Sequence, residues 1–224
     1  MIPPEQDATF AAAMEAVLDL YARPADPRFP LVCFDEAGKE LRAHKRPPYL
    51  LRPGSPQRID AEYVRQGSAN LFLWVAPFEG RRHITATERR CAVDLAHALR
   101  ELVDAFPAAE KIVLLTDNLN IHAPASLYKT FPRDEARRIL SRLEWHYTPK
   151  HGSWLNLAEV ELAALHGQCL DRRIPDLATL QQEVAAWTEE RNARRQTLAW
   201  SFTADDAYDR LRHVYPIPND DTVR

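Results

Sequence analysis

Three carboxylates in this sequence could together hold a metal ion. Asp35 follows the apolar run Leu31–Phe34, Asp117 follows the run Ile112–Thr116, and Glu159 lies on a predicted amphipathic helix. Short apolar runs bounded by turn residues indicate buried strands, and an acid at the carboxyl end of such a strand lies where open α/β sheets place their active sites. Because three converging carboxylates repel one another unless a cation neutralises them, the pattern predicts a site for a hard divalent ion, Mg²⁺ or Mn²⁺.

The chemistry that fits such a site is phosphoryl transfer. Two divalent ions roughly 3.5–4 Å apart stabilise both the attacking and the leaving oxygen of an in-line displacement. We therefore expect two ions at the three acids.

Three neighbours of the acids are predicted to support them. Adjacent strand residues point to opposite faces of a sheet, so Glu36 is expected beside the site rather than as a ligand. Asn118 follows Asp117, and Asn156 lies three residues before Glu159, on the same helical face. Ser153 is expected to cap this helix. Glu161 lies about 200° around the helix from Glu159, which favours the solvent-facing side for Glu161.

The elements that position these residues can be outlined from hydrophobic periodicity and turn signals. In the first half of the chain we predict a helix at 6–22, a proline-rich linker at 23–30, a strand ending at 35, an irregular connection at 37–60, and strands at 62–64, 70–76 and 82–85 with a turn at 79–80. A helix at 88–106, capped by Thr87, and a strand at 112–116 follow. The last predicted elements are a helix from about 133 to 142, a strand at 144–148, the helix carrying Glu159, and helices at 181–192 and 203–214.

This order of elements predicts an α/β fold with a mixed sheet and helices on both faces. The predicted organisation is an N-terminal helix and linker at 1–30, a catalytic domain at 31–215 and a C-terminal tail at 216–224. With 224 residues, 46% of them hydrophobic, the chain is long enough for one sizeable core.

Composition excludes several other classes of protein. No apolar run approaches the ~18 residues of a membrane span, and the start of the chain lacks the pattern of a signal peptide. The spacing of Cys33, Cys91 and Cys169 matches neither a metal site nor a disulfide framework, which favours reduced thiols in the cytoplasm.

The charge balance is unusual for a DNA-binding protein, because the formal net charge is −3 and such proteins usually have a basic surface. A cluster of acids lowers the balance by itself, and the basic residues are locally grouped. The candidates for contacts to DNA are Arg46, Arg52, Arg89, Arg90, Lys150 and His151. The alternative for each basic group is an ordinary solvated surface.

The motifs around the acids resemble one known family. They are FDE at Phe34–Glu36, TDNLNIH at Thr116–His122 and YTPKHGSWLNLAEVE at Tyr147–Glu161. Together they resemble the catalytic domain of DDE transposases, in the insertion-sequence-630 branch of the mariner superfamily. The resemblance implies a ribonuclease-H-like fold, with Asp35, Asp117 and Glu159 as the catalytic acids.

The same resemblance implies metal-dependent DNA cleavage at transposon ends, strand transfer into target DNA, and a homodimer bound to double-stranded DNA in the bacterial cytoplasm. Full-length members of this family carry helix-turn-helix modules before the catalytic domain, and no such basic three-helix module fits into residues 1–30. A separate helix-turn-helix polypeptide is therefore one expectation. A non-catalytic remnant that binds DNA or full-length transposase, and a general ribonuclease-H-like nuclease, are the alternatives.

Overall fold

The computed structural model describes residues 2, 3, 5–46, 60–117 and 124–217. Its five strands are β1 (Leu31–His44), β2 (Tyr63–Ala76), β3 (Arg81–Thr87), β4 (Ile112–Thr116) and β5 (Leu143–Tyr147). Its helices are α1 (Ala8–Ala22), α2 (Ala92–Ala105), α3 (Ala125–Thr130), α4 (Arg133–Ser141), α5 (Leu157–Leu165), α6 (Leu177–Ala193) and α7 (Ala204–Arg210). Short 3₁₀ turns lie at Ser153–Leu155 and Arg212–Val214, and a π-helical turn, His166–Leu170, extends α5.

The strands form one mixed sheet in the order β3-β2-β1-β4-β5. β2 runs antiparallel to both of its neighbours, whereas β4 is parallel to β1 and β5 is parallel to β4. The strands β1, β3, β4 and β5 therefore share one direction, and their carboxyl ends lie at the same edge of the sheet. This edge, which we call the carboxyl edge, carries the candidate site.

Alternation along the strands divides the core into two layers. Cys33 and Leu73 face the layer built with α1, α5, α6 and α7. Phe34 and Phe72 face the layer built with α2, α3 and α4. These two layers confirm the predicted mixed sheet with helices on both faces. Both layers are needed because β1 and β4 carry apolar side chains on both sides, and each side must be covered.

β1 and β2 are longer than their sequences predict. β1 continues past Asp35 to His44, where an irregular connection was expected, and β2 is continuous from Tyr63. Cross-strand pairs join them as far as His44–Tyr63, with a bulge between Leu41 and Arg42. Residues 63–68 are exposed, so no alternating apolar pattern reveals the strand. Positions 47–59 of the predicted connection lie outside the described residues.

The predicted start of α2 is also wrong. Thr87 is the last residue of β3, and its hydroxyl donates to the Arg89 carbonyl. The helix begins four residues later than expected, with Cys91 as its N-cap. The Asp94 carboxylate accepts hydrogen bonds from the Cys91 amide (3.2 Å) and thiol (2.9 Å) and so closes the first turn.

Gly80 allows the tight turn between β2 and β3. Its φ of +66° is in the left-handed region that favours glycine. A Cβ at this position would lie 2.5 Å from the carbonyl carbon and oxygen of Arg195, so the backbone after α6 packs directly on the turn. Across the described ranges of the chain, no helix is long and apolar enough to cross a membrane.

Candidate active site

Asp35 and Asp117 are brought together by the parallel pairing of β1 with β4. The last pair of that ladder is Cys33–Leu115, and each aspartate lies two residues beyond it on its own strand. Asp35 shares the face of Cys33, towards α5, and is buried, whereas Asp117 is half-buried. Asp117 therefore lies just past the end of β4, and Asp35 lies beside it within β1, which continues to His44.

Glu159 is positioned by the start of α5, where Asn156 is the N-cap instead of the predicted Ser153. Ser153 begins the preceding 3₁₀ turn. The Asn156 side chain is fully buried; its Oδ1 accepts from the Ala158 amide (3.1 Å), and its Nδ2 donates to the Phe34 carbonyl (2.9 Å). One amide thus connects the residue before Asp35 to the residue before Glu159.

The three acids share one electrostatic environment. The pKa of Asp35 is raised to about 7, chiefly by burial and also by the negative charges of Glu159, Asp117 and Glu36, while the hydrogen bond from the Glu36 amide (2.8 Å) acts to lower it. Buried carboxylates near other carboxylates resist ionisation because nothing neutralises the added charge. The site is therefore short of positive charge.

The donor set suits a hard divalent cation, because it consists of carboxylate oxygens. In the part of the chain that the structure describes, no three histidine, cysteine, aspartate or glutamate side chains are close enough to form a complete metal-binding cluster. The three carboxylates nevertheless fit Mg²⁺ or Mn²⁺ in chemical type.

Glu161 is not on the solvent-facing side of α5, so that prediction is wrong. Its side chain is fully buried and forms ion pairs with Arg82 of β3 (Nε–Oε1, 2.7 Å) and Arg191 of α6. Arg191 donates from Nε to Oε1 (2.7 Å) and from Nη2 to Oε2 (3.1 Å). Glu161 is thus neutralised by two arginines, which leaves Glu159 as the candidate for the third carboxylate.

Two other residues, Glu36 and Asn118, were predicted to lie beside the acids. Glu36 lies on the opposite face of β1 from Asp35, in register with Phe72. It nevertheless contributes charge to the Asp35 environment. Asn118 lies outside the described residues.

Four of the six predicted DNA-contacting residues follow the ends of the two edge strands. Arg89 and Arg90 are exposed just after β3, and Lys150 and His151 are exposed just after β5. Each of these two strands lies two strands away from β1, which is roughly 10 Å at the usual spacing of about 4.8 Å. Cationic side chains therefore occur on both sides of the acids.

His151 has a positive φ of 67° in the turn closed by the Gly152 amide and the Pro149 carbonyl (2.8 Å). Arg46 lies farther out, beyond the end of β1, where it is 74% exposed and 3.7 Å from an Asp60 carboxylate oxygen. Arg52 lies outside the described residues.

Other arginines in the basic groups of the sequence have structural roles. Arg142 donates to the carbonyls of Phe106 and Ala109, both at 2.7 Å. Arg173 donates to backbone carbonyls of residues 60–62, just before β2. The sequence does not distinguish them from the exposed arginines, because their partners are far away along the chain.

Sheet order, helices on both faces and acids at the carboxyl edge together define a ribonuclease-H-like fold of the transposase catalytic type. A family model described as DDE superfamily endonuclease matches residues 30–181, and the chain belongs to this family. A search of curated proteins gave no significant match.

Solved structures of Mos1 mariner transposase have the same fold. The Mos1 paired-end complex with Mn is 19% identical with a TM-score of 0.56, over 88% of this chain and 61% of the Mos1 chain. The Mos1 strand transfer complex is 18% identical with a TM-score of 0.54, over 84% of this chain and 56% of that chain. The isolated Mos1 catalytic domain is 14% identical with a TM-score of 0.50, over 89% of this chain and all of that one. This chain spans about three fifths of the Mos1 chain in the paired-end complex.

Proposed function

We propose that this chain is the catalytic domain of a DDE transposase that cleaves DNA strands at transposon ends and transfers the freed 3′-hydroxyl to target DNA. The observation that carries the proposal is the placement of Asp35, Asp117 and Glu159 at one edge of the sheet, close enough that the charges of Asp117 and Glu159 both raise the pKa of Asp35. The proposed catalytic unit is residues 31–215, with 1–30 as an N-terminal helix and linker and 216–224 as a tail.

In this proposal Asp35, Asp117 and Glu159 would hold Mg²⁺ or Mn²⁺, as two ions. When bound, the ions would activate the attacking oxygen and stabilise the leaving oxygen of an in-line phosphoryl transfer. Asp35 and Asp117 project from paired strands and form the rigid part of the site. Glu159, which is exposed at the start of α5, would complete it through the support of Asn156.

Double-stranded DNA would cross the carboxyl edge, with its phosphates held by the cations on both sides of the acids. Arg89 and Arg90 would contact one flank, and Lys150 and His151 the other. Arg46 would extend the contact outwards, as would Arg52. Binding that rests on such contacts weakens steeply with salt, because each neutralised phosphate releases condensed counterions.

We assign the chain to the insertion-sequence-630 branch on the strength of its TDNLNIH and YTPKHGSWLNLAEVE motifs. The Mos1 structures include a strand transfer complex and paired-end complexes with Mn and with Mg. By extension we propose a homodimer of this chain on two DNA ends, with end recognition supplied by a helix-turn-helix segment or a separate polypeptide.

The test is metal-dependent nicking and strand transfer of a labelled duplex that carries the element's own ends. Asp117→Asn removes one carboxylate of the site, so it should abolish the product with Mg²⁺ and with Mn²⁺. Asp134→Asn is the matched control, since Asp134 is exposed at the start of α4 and should leave the product unchanged.

Two results would contradict the proposal. Equal cleavage of duplexes with and without the ends, in the presence of a helix-turn-helix segment, would indicate a general nuclease. No product from a folded protein, even with that segment supplied, would indicate a remnant that acts only by binding DNA or transposase.

A further inference from the structure

The hydroxyl of Tyr21, on α1, lies at the junction between the Ser153–Leu155 turn and α5. It donates to the Leu155 carbonyl (2.7 Å) and accepts from the Leu157 amide (3.2 Å). These two groups flank Asn156, the N-cap of α5. Tyr21 is 7% exposed, and burial raises the pKa of its phenol, which keeps the hydroxyl neutral and able to donate.

The phenol ring is held from its other side by aromatic residues outside the site. It stacks on Trp200, with ring centroids 4.7 Å apart and planes at 25°, and it meets the edge of Phe78 at 6.4 Å. The hydroxyl is also 3.5 Å from Cys33 Sγ, two residues before Asp35 on β1. One side chain therefore touches both of the segments that carry Asp35 and Glu159.

Tyr21 and Asn156 together satisfy the first amides of α5. A helix leaves its first N–H groups without intrahelical partners. Here the Leu157 amide donates to the Tyr21 hydroxyl, the Ala158 amide to Asn156 Oδ1 (3.1 Å), and the Glu159 amide to the Asn156 carbonyl (3.0 Å). The position at which α5 begins, and with it the position of Glu159, is thus fixed by these two side chains.

We propose that Tyr21 is a positioning residue for the metal site, which sets the start of α5 so that Glu159 faces Asp35 and Asp117. This inference rests on the proposed function. Tyr21 and Trp200 both lie outside the family-matched residues 30–181, so the support comes from segments beyond the matched stretch.

The first test compares Tyr21→Phe with Tyr215→Phe in the full chain. The control removes one phenolic hydrogen bond in the same region of the fold, from Tyr215 to Glu15 of α1 (2.9 Å), and this bond involves neither β1 nor α5. Mn²⁺ affinity is measured by calorimetric titration without DNA, and folding is measured by thermal melting without metal.

We expect Tyr21→Phe to weaken Mn²⁺ binding by about tenfold, the usual effect of losing a residue that orients a metal ligand. Tyr215→Phe should bind Mn²⁺ like the unaltered chain. Tyr21→Phe should melt a few degrees below Tyr215→Phe, because it loses the bonds to the Leu155 carbonyl and from the Leu157 amide, whereas Tyr215→Phe loses one bond. Turnover of Tyr21→Phe should recover towards that of the unaltered chain at saturating Mn²⁺.

Unchanged Mn²⁺ affinity in folded Tyr21→Phe would overturn the inference and leave the proposed function standing. Absence of Mn²⁺ binding by the unaltered chain would overturn the proposed function and the inference together. If Tyr21→Phe does not fold, Asn156→Ser decides, because serine keeps an N-cap but loses the bond to the Phe34 carbonyl. Weaker Mn²⁺ binding by folded Asn156→Ser would support positioning through the start of α5, and unchanged binding would overturn it.

Discussion

Replacement of Glu161 by glutamine should destabilise the protein strongly, although the residue is only two positions from a proposed catalytic acid. Glu161 and Arg82 have fully buried side chains, and the Arg191 side chain is 10% exposed. Glutamine keeps the shape but removes the charge, so two guanidinium groups would remain buried side by side with no acid. Breaking a buried pair in this way typically costs about 3–5 kcal/mol.

That magnitude is a large part of the roughly 5–15 kcal/mol by which a domain is stable. For a chain of this size, 1 kcal/mol corresponds to about 2–4 °C in melting temperature, so we expect a fall of roughly 6–20 °C. The assay is urea and thermal unfolding followed by circular dichroism.

Glu159→Gln is the matched control on the same helix. Glu159 is exposed, and changes at such positions usually alter stability by no more than about 0.5 kcal/mol. The two variants should therefore differ in both measurements. Glu161→Gln should lower the free energy of unfolding, whereas Glu159→Gln should leave it unchanged and should abolish metal-dependent cleavage.

The reasoning is refuted if Glu161→Gln loses less than about 1 kcal/mol, since the two arginines would then have another source of neutralisation. A triple variant, Arg82→Met with Glu161→Leu and Arg191→Met, provides a further check. Replacing a whole buried charge cluster by apolar residues of similar volume is often neutral or stabilising, so this variant should be more stable than Glu161→Gln.

Three further predictions concern the turn, the thiols and the basic flanks. Gly80→Ala should lower the free energy of unfolding by at least about 1–2 kcal/mol, the usual cost of placing a non-glycine residue in the left-handed region. The loss should be larger still because the added Cβ would collide with the backbone after α6. An unchanged melting curve would contradict this prediction. Burial raises the pKa of the Cys33 thiol to about 12. Alkylation at pH 8, followed by mass spectrometry, should therefore modify the partly exposed Cys91 first and leave Cys33 unmodified while the protein is folded. Early labelling of Cys33 would show that α1 opens readily. Lys150→Gln and Arg90→Gln should each weaken duplex binding and reduce the slope of log K against log salt by about 0.9, and an unchanged slope would place the DNA elsewhere.

Much of the site could be predicted from the sequence because its signals are local. The strand that ends before Asp117 is a short apolar run bounded by polar residues, and the acids lie within recognisable motifs. Asn156 was expected to support the site from its spacing to Glu159. What local pattern could not supply was its partner, the Phe34 carbonyl, which is 122 residues away along the chain.

The failures have long-range causes. The helical phase that separates Glu159 from Glu161 was assigned correctly, but solvent exposure of Glu161 was expected because charged side chains are rarely buried without partners. Its partners, Arg82 and Arg191, come from two distant elements that only the fold brings together. Tyr21 lies in the helix predicted at 6–22, and nothing in its spacing distinguishes a phenol with a supporting role from an ordinary core residue.

The outer parts of β1 and β2 were missed for a different reason. Residues 63–68 of β2 are exposed, and the outer part of β1 mixes half-buried and exposed residues with the buried Leu41, so no regular alternation indicates a strand there. Backbone pairing between the two strands maintains the structure there, and backbone hydrogen bonds leave little trace in side-chain composition.

The reciprocal bonds between Asn192 and β3 have a consequence for where a stable fragment of this protein would have to end. The Asn192 amide side chain accepts from the Arg82 amide (2.9 Å) and donates to the Arg82 carbonyl (2.8 Å), and so covers the outer edge of β3. A fragment cut at the limits of the family match, residues 30 and 181, would lack Asn192 and would expose unpaired backbone on an edge strand, a known cause of aggregation. The stretch that matches the family, residues 30–181, is therefore shorter than the stretch needed for a stable recombinant fragment that does not aggregate. Such a fragment should extend from α1 to at least Trp200.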